Sequence, residues 1–413
     1  MQTKYIILIF FILVFSACSK YKEYYMVDLQ PKETLDMAEL SWKIPVVDIL
    51  VNVDEYNNMY NNYQEDIHIS GTFVLFRKGK IVVDVKGVRL GIKGNKSAEF
   101  ELKSLGVLFP EPIDNTASDL LNPVQILPFH SLGYIRSIRL RNSGNDFQHS
   151  RNATMIKDIS YTRLAIEAGL NIDLMYAEQC LVFLNSDFLG VMNMRSESTA
   201  HGIAGLYKVD PAQVTLAKVS ETSSGVIVEK QNGDYQRIEN LLYAIDNKNI
   251  KYLKSHIDIA NFIDYIIFQT FTANHDWPHS NVKFFALGNS KFSFFMYDLD
   301  NCNIRNLSHH PLQLIENSMK NPVKDLFLLL YKDEQFKAEF DNRYTELLQS
   351  GLLAPAAFEN ITFIYHKSIE AYMPFHIARY QHPQTLVEWY NNVDLLHAAF
   401  EKREQFVRRE IIR

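Results

Sequence analysis

Asn274, His275, Asp276, Trp277, Pro278, His279, Ser280 and Asn281 stand directly before Val282 to Leu287, a turn at Gly288 to Ser290, and a second apolar run, Lys291 to Tyr297, that ends in Asp298, Leu299 and Asp300. The two runs read as a β-hairpin. Strand alternation places Phe292, Phe294, Met296, Asp298 and Asp300 on one face, so an apolar row runs into two carboxylates. Two like charges at the end of a buried row are costly unless a cation or donor compensates them. With a three-residue turn, the numbers of facing residues sum to about 578, which puts Asn281 within one position of Asp298. Asp276 lies on the loop just before. A lone Asp, an Asn and two further Asp residues are thus expected at one end of one hairpin.

This is the arrangement used in kinase-type phosphoryl transfer. There an Asp on the catalytic loop orients the acceptor hydroxyl, an Asn five positions later binds metal, and so does an Asp closing the next hairpin. Asp276 and Asn281 give Asp-x-x-x-x-Asn, and Asp298 follows 22 residues after Asp276. Magnesium takes hard oxygen ligands and keeps several waters, so one carboxylate and one amide oxygen suffice from the protein. Two other readings of the same residues stay open. Asp and Asn are common turn residues, so Asp276 and Asn281 can serve as turn caps with Asp298 and Asp300 in solvent. A carboxylate pair such as Asp276 and Asp298 also suits a carbohydrate hydrolase. His275 and His279 read as loop-ordering residues rather than metal ligands, because no third ligand stands nearby at helical or strand spacing.

Outward from this stretch the chain divides by pattern. From Ile44 to about Tyr207 short β-branched and aromatic segments predict strands at Val46 to Val53, Thr72 to Phe76, Ile81 to Val85, Ile135 to Leu140 and Leu181 to Leu184. One helix is expected among them, from the spacing of Met155, Ile156, Ile159, Leu164 and Ala165 up to Gly169. After about Asp234 helices dominate. Ile238, Leu241, Leu242 and Ile245 form one apolar stripe; Ile259, Phe262, Ile263, Ile266 and Ile267 form another, with Asp258 as its N-cap. Further helical stretches are expected at Val323 to Tyr331, Asp333 to Gln349 and Val393 to Ile412. Ser220 to Gly225 reads as a loop, in the region between about Lys208 and Asp234 where two lobes would join. Arg403, Arg408, Arg409 and Arg413 read as a solvated basic face complementing the last helix's dipole.

Composition sets the outer limits. The chain has 413 residues, 47% hydrophobic and 22% charged, which excludes a disordered polymer. A net charge of -6 argues against a bulk nucleic-acid binder, so no nucleic-acid partner is expected. Lys4, the apolar run Tyr5 to Phe15, and Ser16 and Ala17 before Cys18 form a secretory signal resembling a bacterial lipobox. It implies cleavage before Cys18 and a diacylglyceryl group on that sulfur, with Ser19 directing the protein to the outer membrane. Cys180 and Cys302 remain available for one disulfide in an oxidising compartment.

The run Asn274 to Asn281 with Tyr297-Asp298-Leu299-Asp300 resembles the signature of the spore coat protein H (CotH) kinase family, secreted atypical kinases. Upstream pieces follow in the same order: Ile138 to Asp146 (Ile-Arg-Leu-Arg-Asn-Ser-Gly-Asn-Asp), Lys157-Asp158, Val182 to Asn185, and Gly190 to Arg195. The resemblance implies an α+β, kinase-like fold of two lobes, with a β-rich lobe at 41-215 and a helical lobe at 216-413 holding the catalytic loop and metal-binding hairpin, after a signal peptide at 1-17 and a tether at 18-40. It implies Asp276 as catalytic Asp, Asn281 and Asp298 as metal ligands with Asp300 beside them, and ATP and magnesium as cofactors. Lys93 to Lys103 is the nearest match to the family's phosphate-lysine strand, with either Lys96 or Lys103 as that lysine. The family's later Glu is replaced by Ser196, with Glu197 one position late. The function implied is transfer of the ATP γ-phosphoryl group to a Ser or Thr hydroxyl on a protein. The alternative is an inactive kinase-fold surface lipoprotein that binds a partner or polysaccharide.

Overall fold

Val, Ile and Phe at alternating positions draw seven strands of the first half into a closed β-barrel. In the computed structural model, which describes residues 36–114, 126–128, 133–148 and 152–412, these are β1 (Val46–Val51), β2 (His68–Arg77), β3 (Lys80–Lys93), β4 (Ser104–Asp114), β5 (Tyr134–Arg141), β7 (Ala177–Leu184) and β8 (Asp187–Arg195). Cys18 and the expected leader lie outside the described residues. The barrel order is β1-β2-β3-β4-β5-β8-β7, closed where β1 pairs in parallel with β7, Val46 facing Leu181. Val47, Ile49 and Phe73 share one buried face of its strands and Val46 is buried on the other; the Phe73 and Phe109 rings meet edge to face at 5.5 Å. Asp48 interrupts the apolar run of β1. Its carboxylate is satisfied by the backbone N–H and hydroxyl of Ser186 at 3.1 and 3.2 Å.

A second, five-stranded sheet runs β10-β9-β11-β12-β6, from β6 (Asp173–Leu174), β9 (Val214–Thr222), β10 (Gly225–Asn232), β11 (Val282–Leu287) and β12 (Ser293–Met296). Lys283 faces Phe295 and Phe285 faces Ser293, the register expected from the turn length. The stretch Ser220 to Gly225, expected as a loop, is instead the tip of the β9–β10 hairpin, with Thr222 paired to Gly225. Turn-forming residues there shape a tight reversal between strands rather than a linker.

The helices are α1 (Met37–Leu40), α2 (Val53–Asn61), α3 (Lys157–Glu167), α4 (Ala200–Tyr207), α5 (Tyr235–Asp246), α6 (Ile250–His256), α7 (Ile259–Phe271), α8 (Pro311–Glu316), α9 (Pro322–Leu330), α10 (Glu334–Gln349), α11 (Pro355–Ile369), α12 (Met373–Tyr380) and α13 (Leu386–Ile411). The architecture is therefore α+β, and residues Asp36–Arg413 group as one compact unit. No described helix is long and apolar enough to cross a membrane. Asp258 caps α7 as expected, accepting from the Asn261 N–H at 3.1 Å.

Arg403 departs from its reading as part of a solvated face. It is fully buried, and its guanidinium donates to the carbonyls of Phe271 at 2.9 Å, Thr270 at 2.6 Å and His309 at 2.6 Å. A helix leaves its last carbonyls without internal partners, and the planar fork of an arginine can serve several at once. Arg403 thus closes the C-terminal end of α7, immediately before the loop that carries Asp276. Arg408 pairs with Glu404. Arg409 alone of the described basic residues in that group is mostly exposed. Arg413 lies outside the described residues. Cys180 and Cys302 are both buried and free, so the disulfide left open by the sequence is not formed.

Candidate active site

A cleft of about 1650 Å³ is walled by the barrel strand β5, the 94–97 loop, strands β9 and β11, the loop 275–281, the hairpin end at Asp298 and Asp300, and α13. Nine Lys and Arg side chains line it against five Asp and Glu. In a chain of net charge -6 this is a local reversal of sign, and a cleft so charged concentrates anions.

The hairpin end is held by an arginine network. Arg141 on β5 places one terminal nitrogen against both Asp298 and Asp300, the latter at 2.7 Å, while its Nε reaches Asp158 at 3.2 Å. Asp158 also pairs with Arg195 of β8 and accepts the backbone N–H of Leu299 at 3.2 Å. Burial alone would raise the Asp158 pKa, but Arg195 and Arg141 together hold it below the usual carboxylate value. Asp300 is fully buried; burial and the neighbouring Asp298 push its pKa well up, against the pull of Arg141. The Asn145 backbone N–H donates to Asp300 at 2.9 Å. Gly144 makes this approach possible: with φ at +60°, an added Cβ would sit 2.0 Å from an Asp300 oxygen. Asn281 and Asp298 themselves have left-handed backbone, φ 57° and 64°, a region that Asn and Asp tolerate better than most residues.

Asp276 is fixed from the side. The Asn301 side-chain amide donates to its Oδ2 at 2.6 Å, and the Asp276 carbonyl accepts the Ser280 N–H at 3.0 Å. Asn274, whose amide donates to Gln269 of α7 at 2.9 Å, anchors the loop to the helix. His279 lies 3.7 Å from Glu221, and His275 lies 3.3 Å from an Arg305 nitrogen. Both histidines face neighbouring charged side chains.

Asp276, Asn281 and Asp298 all line the cleft. One oxygen of Asp276, one of Asp298 and the Asn281 amide oxygen have no hydrogen-bond partner among the described residues. Hard oxygens without protein partners fit a magnesium ion that completes its shell with phosphate and water. Asp300 fits less well, because both of its oxygens are engaged by Arg141 and Asn145. Among the described residues no group of three His, Cys, Asp or Glu could hold a metal unaided, so non-carboxylate oxygens would have to complete any site.

The model of the CotH kinase protein family matches residues 90–407. The chain belongs to the CotH kinase family. Among curated proteins none matches it significantly. Three of the four upstream pieces of the CotH resemblance meet at the hairpin, where Arg141, Asp158 and Arg195 form the network above, while Val182 to Asn185 pairs with β1. Asp146 binds the Thr154 hydroxyl at 2.7 Å and lies 3.5 Å from Lys157. The two candidate phosphate lysines separate. Lys96 lines the cleft. Lys103 does not: its buried ammonium donates to the carbonyls of Ala98 and Phe100 and lies 4.6 and 4.2 Å from the ring centres of Tyr60 and Tyr63. Just ahead of β4, this residue turns toward Tyr60 of α2, away from the cleft. Glu197 is not among the residues lining the cleft but holds Arg139, which is. It is buried and accepts from Arg139 at 3.0 Å, while the Ser196 hydroxyl is used to accept the Tyr176 N–H.

Sequence reasoning passed over Asn301, Lys218 and Lys283. Asn301 directly follows the Asp298-Leu299-Asp300 run, and that adjacency was its only signal. Lys283 sits inside the apolar strand β11 and reads as an ordinary interruption.

Proposed function

We propose that this CotH-family chain is a kinase that transfers the γ-phosphoryl group of ATP to a protein Ser or Thr hydroxyl. The observation that carries this reading is the presence, on one wall of a cation-rich cleft, of Asp276, Asn281 and Asp298 with oxygens left unpaired. A bound magnesium ion would supply charge neutralisation on the phosphates. Asn281 and Asp298 would hold it, and the arginine network keeps Asp298 at the hairpin end. Asp276, oriented by Asn301, accepts the acceptor's proton as the acceptor oxygen bonds to the γ-phosphorus and the bond from that phosphorus to the bridging oxygen breaks, ADP leaving with the electron pair. The kinase-like division into two lobes, with the cleft between a β-rich and a helical part, belongs to the same proposal. So does attachment through Cys18 to the outer membrane, where a membrane-bound enzyme would meet envelope proteins.

A second reading is favoured by Arg141, which already compensates Asp298 and Asp300 without a metal. On it the chain is a kinase-shaped lipoprotein that binds a partner or cell-surface polymer. A thermal shift series separates the two. Saturating magnesium and ATP should raise the melting temperature, since binding at 100 times Kd adds about 2.7 kcal/mol of stability. No shift with nucleotide, but one with an oligosaccharide, favours the binder.

A further inference from the structure

Lys218 on β9 and Lys283 on β11 are direct cross-strand neighbours. Both line the cleft. Like charges directly opposed on adjacent strands repel, and such a pair is destabilising unless an anion lies between or over them. The acids nearby do not fully answer it. Glu229 lies 3.9 Å from Lys218, at the edge of ion-pair distance, and Glu197 is committed to Arg139. Lys283 is buried in the wall, with its ammonium donating to the Ser198 carbonyl at 2.6 Å and the Ser198 hydroxyl at 2.9 Å. An ammonium has three donors, so one remains. Ser198 therefore aims this lysine rather than neutralising it. Asn281 directly precedes β11, two positions before Lys283, and both line the cleft.

We infer that Lys218 and Lys283 form the seat for the phosphate chain of a nucleoside triphosphate, placed on the second sheet rather than in the segment between β3 and β4 where the sequence suggests a phosphate lysine. This rests on the proposed kinase reading and names the residues that meet the polyphosphate. Lys283 supplies the buried, fixed cation and Lys218 the exposed, adjustable one. Neither touches the transferred hydroxyl, so both are binding residues.

The test is the phosphate dependence of affinity. Dissociation constants of the full-length protein are measured for adenosine, AMP, ADP and ATP with magnesium, in wild type, Lys218→Met and Lys283→Met. A charge-assisted hydrogen bond lost to a phosphate weakens binding by about tenfold or more. Each variant should lose that much for ATP, less for AMP, and nothing beyond twofold for adenosine. Lys218 is partly exposed, so its variant keeps the test informative should Lys283→Met fold poorly. Equal losses across the whole series would mean a structural role and overturn the inference, as would unchanged ATP affinity in Lys218→Met. Either result leaves the kinase reading standing. If wild type binds no nucleotide at all, that reading and this inference fall together.

Discussion

Arg141→Met tests how the acidic end of the hairpin is held. The guanidinium lies within ion-pair distance of three carboxylates, and its own side chain is largely buried. Burial works against its charge, yet Asp298, Asp158 and Asp300 hold its pKa well above the ordinary arginine value. Methionine keeps most of the length and removes the cation. Breaking a buried pair by deleting one partner costs about 3–5 kcal/mol, because the other charge stays buried without compensation. Asp298 is about a quarter exposed and recovers part of its loss in water, so the cost falls mainly on Asp300, and about 3 kcal/mol is expected. Denaturant unfolding of wild type, Arg141→Met, Asp300→Asn and the double variant measures it. The double variant should be less destabilised than the two single losses added together, since the Asp300→Asn change removes the orphaned charge. Arg141 pulls the Asp300 pKa down, so its removal raises it further. The deficit against wild type should therefore narrow as pH falls and Asp300 takes up a proton. A loss under about 1 kcal/mol, or strict additivity in the double variant, would refute the argument.

Three other outcomes follow from single residues. His376 is fully buried, and burial, with His382 and Arg379, pushes its pKa down to about 3, while burial takes His366 to about 4. Both bind protons more readily when unfolded, so stability should fall as pH drops below about 6.5, before most carboxylates titrate; His376→Gln should flatten that slope in pH-dependent unfolding. Arg403→Lys should lower stability by roughly 2–4 kcal/mol in denaturant melts, because one ammonium cannot serve the carbonyls of Thr270, Phe271 and His309 that a planar fork reaches. Lys103→Met should leave ATP affinity within twofold of wild type by calorimetry, since that ammonium is held under Tyr60 and Tyr63 and faces no ligand.

The hairpin was legible because its register depends only on a short turn between two apolar runs, and Lys283 does face Phe295. Local pattern also located β1, α3 and α7. The barrel closure was not legible. It requires β1 to pair in parallel with β7, some 135 residues away, and nothing in either strand encodes that partner. The β5–β8 pairing brings Arg141 and Arg195 onto neighbouring strands where both meet Asp158, although the three stand in sequence as separate fragments. Charged residues proved the hardest to place. Arg403 lies in a basic run that reads as surface, yet it is buried because the end of α7 offers it carbonyls. The two candidate lysines part for a similar reason: Lys103, just ahead of β4, is drawn to the carbonyls of Ala98 and Phe100, while Lys96 lines the cleft, and Lys283, to which the sequence assigned no role, lines it from β11.

The most direct test of the central claim compares Asp276→Asn with Asp298→Asn in the same two assays, magnesium-dependent ATP binding and transfer of the γ-phosphoryl group to a protein acceptor. On the proposed reading Asp276 would meet the acceptor and not the phosphates, so Asp276→Asn should keep the ATP-dependent thermal shift and lose transfer. Asp298→Asn should weaken both. Transfer undiminished in Asp276→Asn, or an ATP shift equally abolished by both substitutions, would contradict the assignment of these two carboxylates to separate roles.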